Sequence, residues 1–448
     1  MMSSAAMPTF AALPSDPDVV IVGAGAAGIG AAHRLIAEGK SVAVVEAADR
    51  IGGRAKTDTE TFGFPYDQGC AWMQGPDDLP WLKIAQDNGF SLRDASNLSG
   101  QFRIDGATAP SAERQKYYRT WEKFYAALDD ADDVSAASVV PQDAPYAGVV
   151  QSWMGPMDHG VDLTDLSTGD YNSYTEDYAV NYLVKEGLGT LVAMHGAGLP
   201  VALNTAVTAI DWTGGGVKVE TTGGTIRAKA VIITVSVGVL ASGAIRFTPD
   251  LPVAKQEAVA DVPMGLLVRI PLHFGGERFG LSKNSFLTYA VPNEMPADAC
   301  YFLNFPHGQD ITIGFVGGSL GWDLSRAGED AAIDFALGEF AAQMGSDAKQ
   351  HFTKGHMSDW ALNPLTQGAY SAAKPGRHAA RNTLAEPVAD RLFFAGEAVA
   401  APYIALCGGA HLSGEKVAAD VIEVLDREGC SSCDTRGRQR AKLLEQTE

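Results

Sequence analysis

The chain has 448 residues, of which 46% are hydrophobic and 20% are charged, proportions typical of a globular protein. No apolar run approaches the ~20 residues that cross a bilayer, so the sequence predicts no membrane-spanning part. The formal net charge of −20 repels phosphate backbones, which argues against nucleic acid as a partner. This acidity either serves solubility alone or attracts cationic substrates.

The cysteine content is low and irregular. Five cysteines, an odd number, are spread over the chain, which does not indicate a disulfide framework and favours a reducing, cytoplasmic location. Cys430 and Cys433 form a C-x-x-C pair with no second pair or nearby histidine, so we expect no metal site. Residues 1–17 lack the basic and sustained apolar regions of a signal peptide and are expected to form a flexible N-terminal arm.

A β-α-β unit is predicted near the N-terminus. The branched run 19–22 predicts a buried strand, a G-x-G-x-x-G sequence follows at 23–28 and opens a helix to Glu38, and a second strand over 41–45 ends at Glu46. The glycines permit a tight turn, close approach of a pyrophosphate and close helix–strand packing, and Glu46 is expected to bind the adenosine ribose. The unit therefore predicts a dinucleotide-binding site. Glu46 disfavours NADP, because an acidic residue at this position argues against a 2′-phosphate. We expect contacts from Gly23, Gly25, Ala26, Ala27, Gly28, Glu46 and Ala47.

Later segments indicate a mixed α/β protein. Residues 75–182 show helical patterns, aromatic clusters and acidic loops. The glycine-punctuated stretch 201–235 predicts a three-stranded meander that ends in a buried strand over 230–235. The remaining predicted elements are strands over 266–272, 311–315 and 391–394 and helices over 330–344 and about 409–426.

Five further motifs occur in order along the chain, at 46–54, 69–75, 231–249, 360–370 and 394–397. Together they resemble the flavin-containing amine oxidase family, which includes monoamine and polyamine oxidases. The resemblance implies an α/β fold in which a doubly wound, Rossmann-like FAD-binding domain carries a substrate domain of mixed sheet and helices. The implied domains are 18–75, 183–262 and 355–428 for FAD, and 76–182 and 263–354 for substrate, followed by a polar tail, 429–448.

The resemblance also implies functional residues. It places further FAD contacts at Gly53, Arg54, Ala71, Trp72, Val207, Gly396, Glu397, Leu406 and Cys407, and substrate contacts at Gln74 and Leu406. The fork of Arg54 suits phosphate or flavin oxygens, although a surface arginine paired with an acid is the alternative. The last helix, starting around Cys407, is expected to aim its N–H groups at the flavin. Trp360 and Tyr370 are expected to flank the substrate amine; the alternative is that both are core residues.

Three departures from the family pattern qualify this interpretation. Ala369 stands where monoamine oxidases carry the cysteine that bonds FAD, so we expect noncovalent FAD. Leu406 replaces a second aromatic residue, which leaves half of an aromatic cage. Arg269 aligns with the family lysine near flavin N5; either the site is altered there or the alignment register is shifted, and Arg269 alternatively pairs with a carboxylate away from the flavin.

The predicted activity is FAD-dependent oxidation of an amine, in which a hydride passes from the α-carbon to flavin N5, the imine hydrolyses to an aldehyde, and O2 is reduced to H2O2. The proposed catalytic set is Tyr370, Trp360 and Arg269, with a small-molecule amine and O2 as partners. Two alternatives stay open: an FAD-dependent L-amino-acid oxidase, for which Arg269 or Arg103 would bind the carboxylate, and a flavin-binding protein without oxidase turnover. The particular amine, the physiological electron acceptor and the oligomeric state, with a homodimer as one option, are left open.

Overall fold

The computed structural model describes residues 12–75, 80–129, 131–173 and 180–444, with side chains described up to residue 427 except at position 180. Most of the predicted N-terminal arm, the acidic pair Asp77-Asp78, and the side chains of Cys430 and Cys433 lie outside this part. Among the described residues, none of the helices has both the length and the apolar character needed to traverse a bilayer.

The strands, in chain order, are β1 Val19–Val22, β2 Val42–Val45, β3 Thr57–Asp58, β4 Tyr66–Asp67, β5 Trp72–Gly75, β6 Leu92–Asp94, β7 Ser99–Ile104, β8 Ala107–Thr108, β9 Val180–Val184, β10 Val201–Ala202, β11 Val207–Asp211, β12 Val217–Thr221, β13 Gly224–Ala228, β14 Ala230–Ile233, β15 Arg246–Thr248, β16 Met264–Gly265, β17 Leu267–His273, β18 Ser285–Tyr289, β19 Tyr301–Asn304, β20 Thr312–Gly317, β21 Lys354–Gly355, β22 Tyr370–Ser371 and β23 Leu392–Phe394.

The helices are α1 Ala26–Ala37, α2 Pro80–Asp87, α3 Ser111–Asp129, α4 Ala147–Ser152, α5 Thr168–Ser173, α6 Leu188–His195, α7 Val237–Ala241, α8 Val253–Asp261, α9 Gly318–Ala327, α10 Glu329–Met344, α11 Ala348–His351, α12 Ala380–Ala385 and α13 Cys407–Leu444. A π-helical turn follows α4 at Trp153–Met157, and short 3₁₀ turns lie at Ala136–Ser138, Pro306–Gly308 and Glu397–Val399.

A parallel five-stranded sheet in the order β10-β2-β1-β14-β23 forms the centre of the dinucleotide-binding part. Its strands are buried on both faces, as parallel strands usually are. One set of alternating side chains packs against α1 and α13, and the other set packs against the meander sheet β13-β12-β11-β15. The predicted β-α-β unit and the meander are both confirmed, with β14 two residues shorter than expected.

The second part is built on a mixed seven-stranded sheet in the order β21-β17-β20-β19-β18-β7-β8. Strand β7 pairs in parallel with β18, so the segments on either side of the meander share this sheet. A smaller sheet, β5-β9-β6, crosses the expected domain boundaries at 75/76 and 182/183. The division into two domains therefore stays a prediction, whereas the α/β class and the mixed sheet with helices are confirmed.

One expectation about local structure was wrong. The segment 75–182, in which the sequence shows helical patterns, also contains β6, β7, β8 and the start of β9, as a mixed sheet with helices requires. The last helix does not end near residue 426: α13 begins at Cys407 and continues to Leu444. Its extension, 427–444, contains four arginines and two leucines, which are good helix formers, and the helix continues through the two glycines at 429 and 437.

Candidate active site

A cavity of about 1100 Å³ runs from the carboxyl ends of β1 and β2 to the seven-stranded sheet. This volume lies just above the roughly 300–1,000 Å³ typical of small-molecule and cofactor sites. Its walls include the glycine-rich turn after β1, the first residue of α13, and side chains of β5, β17 and β20. The cavity therefore joins the two sheet systems.

The glycine-rich turn has the geometry that a dinucleotide cradle requires. Gly23 adopts φ +108°, and a Cβ on it would lie 2.6 Å from Thr234 Oγ1. A Cβ on Gly28 would lie 2.0 Å from the Gly23 carbonyl oxygen, which is the close packing expected of one glycine of the motif; Gly28 is not among the residues that line the cavity, and its contact to the cofactor stays a prediction. Gly25 precedes α1 and offers no side-chain cap, which leaves the first N–H groups of α1 available to a phosphate.

The acid that ends β2 lines the cavity in a fixed orientation. Glu46 is 8% exposed, and its carboxylate accepts hydrogen bonds from the N–H groups of Ala24 at 2.7 Å and Ala48 at 2.8 Å. Burial raises the pKa of Glu46, although these two backbone donors act in the opposite direction. A carboxylate has about four acceptor positions, so two bonds leave capacity for a ribose hydroxyl.

Arg50 organises the loop that faces the cradle, and sequence reasoning did not assign it a role. Its guanidinium donates to the carbonyl oxygens of Ile51, Gly53 and Ala55 at 3.1, 2.6 and 3.2 Å. These bonds hold the double glycine close to Gly25, with which Gly52 forms an isolated parallel bridge. Arg50 therefore closes the cradle from a position three residues before Gly53. The motif 46–54 contains this arginine, but no short-range sequence pattern indicated its role.

Arg54 and Glu397 form an ion pair inside the cavity. Arg54 Nη1 donates to Glu397 Oε1 at 3.0 Å and to the Ala369 carbonyl oxygen at 2.8 Å. Glu397 also accepts from the N–H of Ser371 at 3.1 Å and from its hydroxyl at 2.8 Å. The expected alternative, an acid as the partner of Arg54, is thus observed, but the pair lies in the cavity wall and not on the outer surface.

A second ion pair, which is fully buried, is connected to the first one through the hydroxyl of Ser371. Arg381 donates from Nε and Nη2 to the two carboxylate oxygens of Asp170, at 2.8 and 2.6 Å, and both side chains are 2% exposed. Its Nη1 reaches the hydroxyl of Ser371 at 2.9 Å. A chain of charged hydrogen bonds therefore runs from Asp170 through Arg381 and Ser371 to Glu397. Sequence reasoning missed it because these residues come from four separate elements.

Aromatic rings wall the other end of the cavity. Trp72 packs against Phe286 and Phe315 with ring centroids 6.5 and 5.9 Å apart, and Trp153 meets Phe286 edge-on at 5.3 Å. We call the space between these four rings the aromatic chamber. Trp72 was predicted as a cofactor contact; the other three rings were not identified from the sequence.

Arg269 lies in the chamber wall. Its guanidinium carbon is 5.6 Å from the Trp72 ring centroid and 5.3 Å from that of Phe315, distances at which a cation is attracted to the ring faces. Nη1 donates to the Gly69 carbonyl oxygen at 2.7 Å, and the buried Nε has no hydrogen-bond partner. Among the described residues no carboxylate forms an ion pair with it, so the expected alternative of a carboxylate partner away from the cavity is not what the structure contains.

The acid that interacts electrostatically with Arg269, Asp67, has its hydrogen bonds elsewhere. Asp67 accepts hydrogen bonds from the N–H groups of Leu188 and Gly189 at the start of α6, at 2.9 and 3.1 Å, and burial raises its pKa. Burial lowers the pKa of Arg269, but a guanidinium remains protonated. Lys56 also lines the cavity, and burial lowers its pKa as well. The chamber wall thus carries a guanidinium that interacts electrostatically with Asp67 but forms no direct ion pair among the described residues.

The two aromatic residues predicted to flank the substrate both line the cavity. Trp360 is 5% exposed and donates from Nε1 to the Gln68 carbonyl oxygen at 2.9 Å. The Tyr370 hydroxyl donates to the Met157 carbonyl oxygen at 3.0 Å. Both rings are therefore held at their polar ends, which fixes their faces relative to the cavity.

The structure brings almost the whole predicted set together. The predicted residues that line the cavity are Gly23, Gly25, Ala26, Ala27, Glu46, Ala47, Gly53, Arg54, Ala71, Trp72, Gln74, Val207, Arg269, Trp360, Tyr370, Gly396, Glu397, Leu406 and Cys407. Helix α13 begins at Cys407, so its positive end meets the cavity as expected. Within the described residues no group of three or more histidine, cysteine or acidic side chains is arranged to hold a metal ion.

These features fit a dinucleotide cofactor such as FAD. The uncapped N-terminus of α1 suits the pyrophosphate, the anchored carboxylate of Glu46 suits a ribose diol, and the partnerless Nε of Arg269 offers a hydrogen bond at the far end. A nucleotide, a pyrophosphate and a ring system need one long cavity with polar and apolar ends, which is the arrangement observed. The fold and the cavity define a dinucleotide-binding protein with room for a second ligand beside the cofactor.

Comparisons with known proteins agree with this class. The model of the flavin containing amine oxidoreductase family matches residues 113–422, and that of an NAD(P)-binding Rossmann-like domain matches residues 21–87. The chain belongs to the flavin-containing amine oxidoreductase family. It is an amine-acting oxidoreductase whose cofactor is FAD.

Individual relatives span nearly the whole chain. Polyamine oxidase 2 of Arabidopsis thaliana is 31% identical over 447 residues, covering 92% of this chain and 90% of that protein. Lysine-specific histone demethylase 1B of Mus musculus is 26% identical over 90% of this chain but only 52% of its own length. The solved structure of wild-type putrescine oxidase bound to putrescine is 22% identical, covers 91% of this chain and 99% of its own, and has a TM-score of 0.75, which supports the fold.

Proposed function

We propose that this chain oxidises a small amine: the α-carbon loses a hydride, the imine hydrolyses to an aldehyde, and oxygen is reduced to hydrogen peroxide. The observation that carries the proposal is the continuity of the cavity, because the dinucleotide cradle opens directly into the aromatic chamber. FAD, when bound, accepts the hydride and passes the electrons to oxygen. The protein's own side chains bind, orient and desolvate the amine.

The rings of the chamber support this role by excluding water. Trp72, Phe315 and Trp153 offer apolar faces to an alkyl chain, while Gln74 and Asn181, paired across β5 and β9, add polar groups to the lining. Tyr370 and Trp360 have their polar ends bonded to carbonyl oxygens, so their faces are available to flank a substrate. A dry chamber strengthens every electrostatic interaction inside it.

The charge of Arg269 bears on the protonation state of the substrate. An amine gives up a hydride only when its nitrogen is neutral, and a nearby cation lowers the pKa of a bound ammonium group. His159, which also lines the cavity, is uncharged near neutral pH, because burial lowers its pKa to about 4. The chamber therefore favours the reactive, neutral form of an amine that arrives as a cation.

We propose a primary or secondary amine without an essential carboxylate as the substrate. The net charge of −20 attracts cations from solution, and the names of Polyamine oxidase 2 and of putrescine oxidase point to aliphatic amines. We further propose that FAD is held noncovalently, since Ala369 lines the cavity where a thiol would be needed for a bond. A cytoplasmic location and O2 as the acceptor belong to the same proposal.

One observation favours a second candidate, an L-amino-acid oxidase. The buried Nε of Arg269 has no partner, and a planar guanidinium suits a carboxylate. In this alternative the substrate carboxylate would bind Arg269 and leave its amino group beside the cofactor. The difference between the two candidates is whether Arg269 acts on the substrate through charge alone or through direct contact.

A substrate panel with a peroxide readout tests the proposal. Purified protein loaded with FAD is mixed with monoamines, diamines, polyamines and α-amino acids, and the Arg269→Met variant is assayed beside the wild type. We expect peroxide from amines. Turnover of α-amino acids alone, lost on the order of 100-fold in Arg269→Met, would establish the second candidate. Bound FAD with no peroxide from any compound would instead indicate a flavin-binding protein without oxidase turnover.

A further inference from the structure

Three histidines from three helices meet where α1 packs on α13. His33 of α1 and His195 of α6 stack with ring centroids 4.3 Å apart, and the ring of His411 of α13 lies 5.6 Å from that of His195. The ring of Trp81, from α2, meets His195 and His411 edge-on at 5.6 and 4.9 Å. We call the three imidazoles the histidine cluster. The proposed function uses none of them, and they are not part of the cavity lining.

The hydrogen bonds of the cluster suit neutral imidazoles. His33 Nε2 lies 2.8 Å from the carbonyl oxygen of His195, so this nitrogen donates a hydrogen. His411 is 2% exposed, and its Nε2 lies 3.4 Å from Glu415 Oε1. Its buried Nδ1 has no hydrogen-bond partner among the described residues. A proton added to Nδ1 would create a buried N–H group without an acceptor, which is costly.

Two charged side chains act on the cluster. The Glu415 carboxylate of α13 interacts electrostatically with His411 and His195, and Arg34 of α1 interacts with Glu415. Arg34 also pairs with Glu38, with 3.2 Å between Nη2 and Oε1. Glu415 can therefore balance one proton added to the cluster. A second proton would place two cations within about 6 Å of each other in a partly buried region, where salt screens their repulsion poorly.

The fold disfavours protonation of the central ring. Burial, together with the neighbouring rings of His33 and His411, lowers the pKa of His195 to about 4, whereas a solvated histidine titrates near about 6.5. Because the folded-state pKa is the lower one, the stabilisation by the neutral ring is fully present above about pH 6.5 and is lost as the pH falls toward 4. Protonation of histidine clusters alters protein interfaces in this pH range.

The helices that the cluster joins also present their N-termini to the cofactor site. A Cβ on Gly30 would lie 2.5 Å from the carbonyl oxygen of His411, and a Cβ on Gly414 would lie 2.0 Å from that of Ala27, so the backbones of α1 and α13 touch. Ala27 belongs to the glycine-rich turn and lines the cavity, as does Cys407, the first residue of α13. Separation of α13 from α1 would therefore displace both N-termini.

We propose that the histidine cluster is a pH sensor that controls the release of FAD. Mild acidification adds positive charge between α1, α6 and α13, the helices separate, and the cradle binds the pyrophosphate less tightly. If His195 titrates near about 6.5 once the helices have separated, the open form gains about 10-fold over the closed form between about pH 7.5 and about pH 5.5. Release that passes through the open form should accelerate by a similar factor.

The test measures how fast the full chain releases FAD at the two pH values. Protein loaded with FAD is mixed with EDTA and an excess of isotopically labelled FAD, and the bound flavin is analysed by mass spectrometry after rapid desalting. We expect exchange in the wild type to be about 5- to 10-fold faster at about pH 5.5 than at about pH 7.5, and to become slow again when the pH is restored. The His195→Gln variant should respond less than about 2-fold, because the central titrating ring is gone.

Matched variants separate the cluster from other titrating groups. His33→Gln removes the stacked ring and should also weaken the response, whereas His351→Gln removes a ring on α11, outside the cluster, and should leave the response unchanged. Glu46, whose pKa burial raises, is present in all these proteins, so its effect cancels in the comparison. An unchanged rate in the wild type, or an equal acceleration in the wild type, His195→Gln and His33→Gln, would overturn the proposal.

Hydrogen exchange of the wild type gives a second measurement that needs no variant to fold. We expect peptides from α1 and from the start of α13 to lose protection at about pH 5.5 while the seven-stranded sheet keeps its protection. Loss of protection throughout the chain would indicate global unfolding and would also contradict the proposal. Neither measurement uses amine turnover, so their outcome is independent of the substrate panel.

Discussion

The buried ion pair of Asp170 and Arg381 should stabilise the fold around the site, and the resulting change in Tm can be calculated. Asp170→Asn keeps the shape of the side chain and removes its charge, which leaves the guanidinium of Arg381 buried without a counter-ion. Breaking a buried pair in this way costs about 3–5 kcal/mol. With an unfolding entropy of about 2.1 cal/mol/K per residue over 448 residues, the expected fall in Tm is about 3–5 °C.

The same change should weaken cofactor binding. Arg381 holds the hydroxyl of Ser371, and Ser371 holds Glu397 in the cavity wall. A hydrogen bond to a charged group contributes about 1.5–3 kcal/mol, so losing the alignment of one such bond should raise the Kd for FAD about 10-fold or more. Thermal melts and flavin fluorescence titrations of the same preparations measure both effects.

The pH dependence follows from the ionisation of Asp170. Burial opposes its charge, but hydrogen bonds from Arg381 and His378 outweigh burial and hold the pKa of the carboxyl well below its usual range. A depressed folded-state pKa means that the stabilisation is fully present above the unfolded-state pKa of about 3.9 and is lost as the pH falls below it. The Tm gap between wild type and Asp170→Asn should therefore be constant above about pH 4.5 and should narrow below about pH 4.

A control separates this effect from the loss of any charge pair. Asp323 pairs with Arg326 on the surface, where the two side chains are 74% and 62% exposed. Asp323→Asn should change the stability by less than about 1 kcal/mol. If Asp170→Asn melts within 1 °C (about 1 kcal/mol) of the wild type and binds FAD equally well, the buried network does not support the site and the reasoning is refuted.

Three further expectations concern the cavity. Acid precipitation should leave yellow flavin in the supernatant because Ala369 offers no thiol for a bond; flavin in the pellet would contradict noncovalent binding. Tyr370→Phe should keep most of kcat/KM, since the Tyr370 hydroxyl donates to the Met157 carbonyl oxygen in the cavity wall and the proposed work is done by the ring. Tyr370→Ala should lose about 10-fold or more, or about 1.4 kcal/mol; equal losses in both variants would indicate a chemical role for the hydroxyl. Arg269→Lys replaces a rigid planar fork with a flexible point charge, so stopped-flow measurements should show a larger change in reoxidation by oxygen than in anaerobic reduction by substrate; two unchanged rates would place Arg269 outside the reaction.

The cradle was predictable because its requirements are local. Strand, glycine turn, helix and acid follow one another within residues 19–46, and each has a short-range pattern. The roles of Gly23 and Gly28 also follow from steric rules that hold in any β-α-β unit of this kind. The resemblance to a family then located most of the remaining cavity residues, including Arg54, Glu397 and Arg269.

The supporting contacts were not predictable, because they join residues that are far apart in sequence. Asp170 and Arg381 are separated by 211 positions, and no spacing rule connects an acid on one short helix with an arginine on another. Adjacency in the sequence is visible to sequence reasoning, whereas adjacency in space is not.

The aromatic chamber was predictable only in part. Trp72 belongs to a recognised motif, but Trp153, Phe286 and Phe315 come from a π-helical turn and two strands of the seven-stranded sheet. An isolated aromatic residue in a strand is usually a core residue. Only the arrangement of the sheet shows that these rings face a cavity.

The measurement that tests the central claim most directly is an anaerobic titration followed by readmission of oxygen. Protein loaded with FAD is mixed with an amine identified in the panel, and the visible flavin spectrum is recorded. We expect the flavin absorbance to bleach in proportion to the amine added, and oxygen to restore it with one peroxide and one aldehyde formed per amine consumed. A flavin spectrum that every amine leaves unchanged would contradict the claim that this cavity oxidises amines.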